Sequence, residues 1–207
     1  MWSESAESSS CTAALGPPAV SSGPLKTLGT QPVAAELALQ PGHSYLIEVD
    51  EKGNDLLVEV LDSKNGVMAR ADHPERRTGT RRSIVTAPAG PVTVVRLTGK
   101  EHANVVGMAT VRAFDLAALA ARTDCEAIFK NLAAADSEYA AGKEISSGHS
   151  AAPSGTAHDA LVRAAQAYSS AEYALAASGD GRIKRASRPS RANSALTNST
   201  ALSSTLR

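Results

Sequence analysis

The sequence is short of almost everything from which active sites, disulfide frameworks and membrane anchors are built. Two cysteines, Cys11 and Cys125, and seven aromatic residues are spread over 207 residues. Basic and acidic residues number 21 each, so the formal net charge is zero. A balanced charge excludes any global attraction to nucleic acid or to a membrane surface. No apolar run approaches the ~18 residues of a membrane span, and the N-terminus lacks the basic start and apolar core of a secretory signal. One cysteine stands in a Ser/Pro-rich leader and the other at the start of a helical pattern, so no disulfide is expected between them and no oxidising compartment is implied. The default expectation is a cytoplasmic chain, exported if the true start lies upstream.

Histidines are sparse and scattered. His43, His73, His102, His149 and His158 show no zinc-type spacing and read as surface-loop residues. Cys125 at a helix start has three histidines within reach along the chain, but no glycine motif for an oxyanion hole surrounds it. Asp50, Glu51, Asn54 and Asp55 are rich in oxygen but lack the fixed spacing of a calcium loop, and read as a solvated hairpin. The sequence therefore predicts no catalytic residue, no cofactor and no metal site.

What is present is periodicity. Residues 1–32 and 178–207 have none, and both are expected to be disordered, the second with a basic bias from Arg182 to Arg191. From Val33 to Phe114 the period is two. Val33, Ala35 and Leu37, then Tyr45, Ile47 and Val49, then Leu56, Val58 and Val60 each alternate with the opposite face. Pro41-Gly42, Gly53-Asn54 and Asn65-Gly66 punctuate the strands, the last being the strongest hairpin signal. About seven short strands with no helix between them predict an antiparallel β-sandwich over 33–114. Tyr45 is placed in its core.

After Phe114 the period becomes 3.6. Ile128, Leu132, Ala135 and Tyr139 form one helical stripe, with Thr123 or Asp124 as N-cap and Gly142 near the stop. A second helix is expected with Leu161, Ala165, Tyr168 and Leu175 on one face, giving a helical pair over 115–177. An alanine-rich pair buries little by itself, and the abrupt change at Ser178 is what an out-of-frame end would look like.

Pro41-Gly42-His43-Ser44-Tyr45-Leu46-Ile47-Glu48-Val49, Gly53 to Asp62, and Ala87-Pro88-Ala89-Gly90 before a valine-rich strand together resemble the pre-peptidase C-terminal-like β-sandwich. Val92 departs from it, standing where that family often has Tyr. Leu132 to Gly142 and Ala164 to Ala176 resemble the opening of a tetratricopeptide array. A sandwich followed by such repeats is similar to the N-terminal half of bacterial CHAT-domain proteins. The resemblance implies a non-catalytic interaction fragment whose caspase-like domain is absent, with a protein partner docking on the helices. A carbohydrate- or cell-surface-binding sandwich is the alternative. One loop invites a ligand of its own. Arg76, Arg77, Arg81 and Arg82 fall within seven residues, and guanidinium groups clamp carboxylate or phosphate through paired hydrogen bonds.

Overall fold

The computed structural model describes residues 11–74, 77–89, 93–147 and 156–177, with the backbone alone at 172 and 175–177. It holds nine strands in two antiparallel sheets, followed by two long helices. In chain order these are a helical turn α1 (Cys11–Ala14), β1 (Val20–Ser21), β2 (Leu25–Leu28), β3 (Val33–Leu37), β4 (Ser44–Lys52), β5 (Leu56–Leu61), β6 (Val67–Ala71), β7 (Thr78–Thr86), β8 (Thr93–Gly99) and β9 (Val106–Asp115). A 3₁₀ turn at Leu116–Leu119 leads to α2 (Thr123–Ser146) and α3 (Ala157–Ala177).

The first sheet runs β1-β9-β4-β7, with β2 also on β9; the second runs β3-β8-β5-β6. The alternation predicted from sequence sets the register. Tyr45, Ile47 and Val49 of β4, Val111 and Ala113 of β9, Val58 and Val60 of β5, and Val95 and Leu97 of β8 all point between the sheets and are buried. Tyr45, 3% exposed, sits in this core as expected, and its hydroxyl accepts the Gln40 N–H at 3.2 Å. The Asn65-Gly66 turn forms as read. Asn65 adopts φ 63°, and the Asp62 carboxylate accepts the Lys64 and Gly66 N–H groups at 2.8 and 2.7 Å.

Residues 11–32, expected to be disordered, are instead part of the sandwich. Leu25 to Leu28 pairs with Val106 to Ala109, and Val20 with Ala113. Four apolar residues, Leu15, Val20, Leu25 and Leu28, separated by Pro and Gly, are too irregular for a periodicity test. They suffice to complete an edge that β9 would otherwise expose.

The helices cover one end of the first sheet's outer face. Ile84, Leu46 and Phe114 form a single apolar row across β7, β4 and β9. Leu46 and Phe114 are buried with Ile128, Phe129, Leu132 and Ala135 of α2, and Ile84 packs against the same cluster. Helix α2 does not stop at Gly142 but runs to Ser146. Gly142 is where α3 crosses, since a Cβ there would lie 2.8 Å from Leu161 Cγ. The buried stripe of α3 is Ala160, Ala164, Tyr168 and Ala171, offset by a residue from the expected Leu161 and Ala165.

Cys11 and Cys125 form a disulfide, which corrects the expectation that they stay apart. The helical turn α1 folds back onto the start of α2, so Cys11 and Leu15 enter the same apolar cluster as Leu119 and Ile128.

Candidate functional site

The arginines singled out in the sequence do not form one loop. Arg76 lies outside the described residues. Arg77 is exposed and donates to Glu101 through Nε and Nη2 at 2.9 and 2.6 Å. Arg81 and Arg82 belong to β7, and neighbours on a strand point to opposite faces. Arg81 turns inward and is 0% exposed; Arg82 turns outward toward the helices. The expected clamp is thus divided between two sides of a sheet, and the chain's own carboxylates engage both residues.

Arg81 organises a buried ionic cluster. Its Nε donates to the Leu56 carbonyl at 2.8 Å and its Nη2 to Asp55 Oδ1 at 2.9 Å, while Glu51 pairs with it directly and Asp72 stands at 3.7 Å. Lys100 Nζ donates to both oxygens of Asp72 at 2.6 and 2.7 Å and lies 3.1 Å from Asp55. Two cations thus face three carboxylates, one negative charge in excess. Burial, reinforced by the Asp55 charge and opposed by Arg81, pushes the Glu51 carboxyl up to about 8. A proton held on Glu51 brings the cluster to neutrality.

A second group continues the network into the helices. Asp136 of α2 is fully buried and accepts the Arg82 N–H at 2.6 Å and the Tyr168 hydroxyl of α3. Its backbone carbonyl accepts the Asp72 N–H at 3.2 Å. Burial raises Asp136 to about 7, against the Arg82 charge and the Tyr168 hydrogen bond. His73, expected on the surface, is 4% exposed and packs edge-on against the Tyr168 ring. Burial, with Arg81 and Arg82 nearby, lowers it to about 4. The chemistry of this ensemble is that of a joint. The Asp136 carboxylate ties α2 to β7 and to α3, and its backbone carbonyl ties α2 to the segment after β6. Removing the Tyr168 hydroxyl would leave a buried carboxyl oxygen without its partner, at a cost of about 1–3 kcal/mol.

The outer face of the first sheet carries a further charge row. Arg82 and Arg112 flank Glu48, their Nε and Nη2 donating to it at 3.0 and 3.2 Å, and Arg112 also pairs with Asp50. Of the oxygen-rich segment at residues 50–55, Asp50 accepts from Thr80, Glu51 and Asp55 meet Arg81, and Asn54 donates to the Gly29 carbonyl at 3.0 Å. Glu51 and Asn54 are 5% and 1% exposed, so this is an interior corner and not a solvated hairpin.

A cleft of about 340 Å³ opens between β6, β7 and α2. Its lining includes Met68, Ile84 and Ala133 as walls and Arg70 and Lys130 as charged groups, while the Ser83 side chain points inward from β7 on the side of Arg81 and Val85. Ser83 is 3% exposed, and its hydroxyl has no hydrogen-bond partner among the described residues. An unsatisfied buried hydroxyl costs about 1–3 kcal/mol. Cys125 is excluded as a nucleophile by its disulfide. His43 pairs with Asp115 at 2.8 Å, and His149 lies outside the described residues.

Sequence reasoning missed Asp136 and Ser83. Asp136 had a signal, since an acid four residues after Leu132 lies on the apolar stripe of α2. Ser83 had none, because a serine in a strand is unremarkable until its neighbours are known.

No family model and no curated protein matches the chain. Among solved structures it is similar to the enzymatically active domain of bacteriophage CBA120 tailspike protein 4, at 12% identity over 41% of this chain and 13% of that one, TM-score 0.32. It is also similar to a structure of CBM4, at 17% identity over 40% of this chain and 60% of that one, TM-score 0.32. A third is a family 16 carbohydrate-binding module, at 17% identity over 41% of this chain and 70% of that one, TM-score 0.29. The chain thus spans 13% and 60% of the length of the first two. Overlaps this shallow assign nothing to this chain.

Proposed function

We propose that this chain is a non-catalytic interaction module, a β-sandwich and a helical hairpin locked together, with the outer face of α3 as the docking surface for a protein partner. The two faces of α3 carry this reading. Ala160, Ala164, Tyr168 and Ala171 are buried. On the opposite side Val162, Gln166, Ser169 and Tyr173 fall at i, i+4, i+7 and i+11, and Tyr173 is 80% exposed. An exposed tyrosine beside an apolar residue is the composition of an interface anchor. The resemblance to a tetratricopeptide opening supports the same face, because in a helical stack each pair presents its outer side to the next. On this reading the chain supplies docking, and the caspase-like step implied by the CHAT-domain resemblance belongs elsewhere. The Cys11–Cys125 bond supports a place of work outside a reducing cytosol.

The carbohydrate-binding reading requires exposed rings for sugars to stack on. The strand aromatics, Tyr45 and Phe114, are 3% and 7% exposed, and among the described residues the sheets offer no other.

The test is affinity capture from extracts of the source cells with the wild-type chain and with a Val162→Glu/Tyr173→Glu variant, matched for folding by circular dichroism. A partner retained by the first and lost by the second is expected. Identical partner sets, or retention of the pure chain on insoluble polysaccharide, would overturn the proposal.

A further inference from the structure

We propose that Asn65 is a site of spontaneous deamidation whose rate is set by the Asp62 carboxylate. Asn65-Gly66 is the one Asn-Gly pair in the chain, and the turn between β5 and β6 leaves both residues exposed. Glycine matters to the chemistry because it carries no side chain, so nothing shields its backbone nitrogen from the preceding amide. In deamidation the Gly66 nitrogen loses its proton, bonds to Asn65 Cγ and expels the side-chain nitrogen as ammonia, closing a succinimide ring. Water then opens either ring carbonyl. One product is ordinary aspartate; the other is isoaspartate, in which the backbone runs through the side-chain carbon. Ammonia leaves, water enters, and nothing is oxidised or reduced.

The turn restrains this reaction at the attacking atom. Gly66 N–H donates to Asp62 Oδ1 at 2.7 Å, and Lys64 N–H donates to the same oxygen at 2.8 Å. A hydrogen bond to a carboxylate is about twice as strong as a neutral one, and its negative charge opposes loss of the Gly66 proton. Backbone bonds close the rest of the turn. Asn65 N–H donates to the Asp62 carbonyl at 3.0 Å, and Asp62 N–H to the Gly66 carbonyl at 2.9 Å. Asn65 is thereby held at φ 63°, the one non-glycine among the described residues with a positive φ. Conversion reaches beyond the turn. Strand β6 leads away from it and carries Arg70, which pairs with Glu59 at 3.0 Å and with Glu144 of α2 at 2.6 Å. Isoaspartate adds a backbone methylene inside the closing bonds, which loosens the β5–β6 hairpin on the side that meets the helix.

The experiment incubates the full-length chain at mildly alkaline pH and follows Asn65 by peptide mass spectrometry, with isoaspartate separated from aspartate by chromatography. The folded wild type is expected to convert measurably, and more slowly than the same chain in urea. Asp62→Ala should convert about tenfold faster than the wild type, the scale of one charge-assisted hydrogen bond. Asp62→Asn keeps a neutral acceptor and should fall between the two. Amide signals of residues 67–71 report whether the hairpin stays closed in each variant. Asn65→Gly should give no product and keep the fold. Equal rates in the wild type and both Asp62 variants, a slower rate in Asp62→Ala, or no conversion of Asn65 in any folded chain would overturn the proposal.

Discussion

Glu51 and Asp136 keep their protons to higher pH than exposed carboxyls because burial disfavours their charge, while His73 loses its proton early for the same reason. The consequences for stability have opposite signs. The two carboxyls are raised above their ordinary values of 4.5 and 3.8, so what they contribute is complete below those values and lost as pH rises through about 8 and about 7. His73 is lowered from 6.5 to about 4, so its contribution is present above 6.5 and lost as pH falls. Below pH 6.5 the effects oppose each other; above it only the carboxyls act. Urea unfolding should therefore show stability falling by about 2–3 kcal/mol between pH 6.5 and 8. Glu51→Gln, which imitates the protonated carboxyl, should flatten most of that fall and cost under about 1 kcal/mol at pH 6.5. A loss of several kcal/mol there would show that Glu51 is ionised in the folded chain. At this scale the sequence was least legible. Arg81 and Arg82 look alike on paper, and only the strand assignment sends one inward and the other out.

Elements were more legible than residues, and the errors have identifiable causes. Alternation fixes β4, β5 and β8, because a one-residue slip would turn every core valine to solvent. The inner face of α3 is harder to place, since alanines populate most of its surface and mark no side clearly. Gly142 was read as a stop because glycine commonly ends helices, whereas here it lets α3 approach. Gly142→Leu should accordingly destabilise the chain by about 1–3 kcal/mol through overpacking against Leu161. Leu161→Ala introduced in the same chain should recover part of the loss. Denaturation midpoints of the two single variants and the double variant give the coupling, and strict additivity would refute the contact.

For the whole molecule, the sandwich and helical hairpin were legible and their union was not, because the joining groups come from segments that no local pattern connects. The disulfide is the clearest case. It closes a loop with a sequence separation of 114, which encloses every strand. Chain-entropy arguments for so long a loop give a loss of about 2–5 kcal/mol on reduction. Adding dithiothreitol should lower the urea midpoint of the wild type and leave a Cys11→Ser/Cys125→Ser variant unmoved; equal midpoints in the wild type would remove the bond from the fold. The order of the first sheet has a consequence for synthesis. Among the described residues, the sheet partner of strands β1 and β2 is β9, and β9 is the last of the nine strands to be made. As the chain leaves the ribosome, the segment ending at Leu28 waits unpaired until Val106 and its neighbours emerge. Through that interval its apolar residues are open to any chaperone or neighbouring nascent chain.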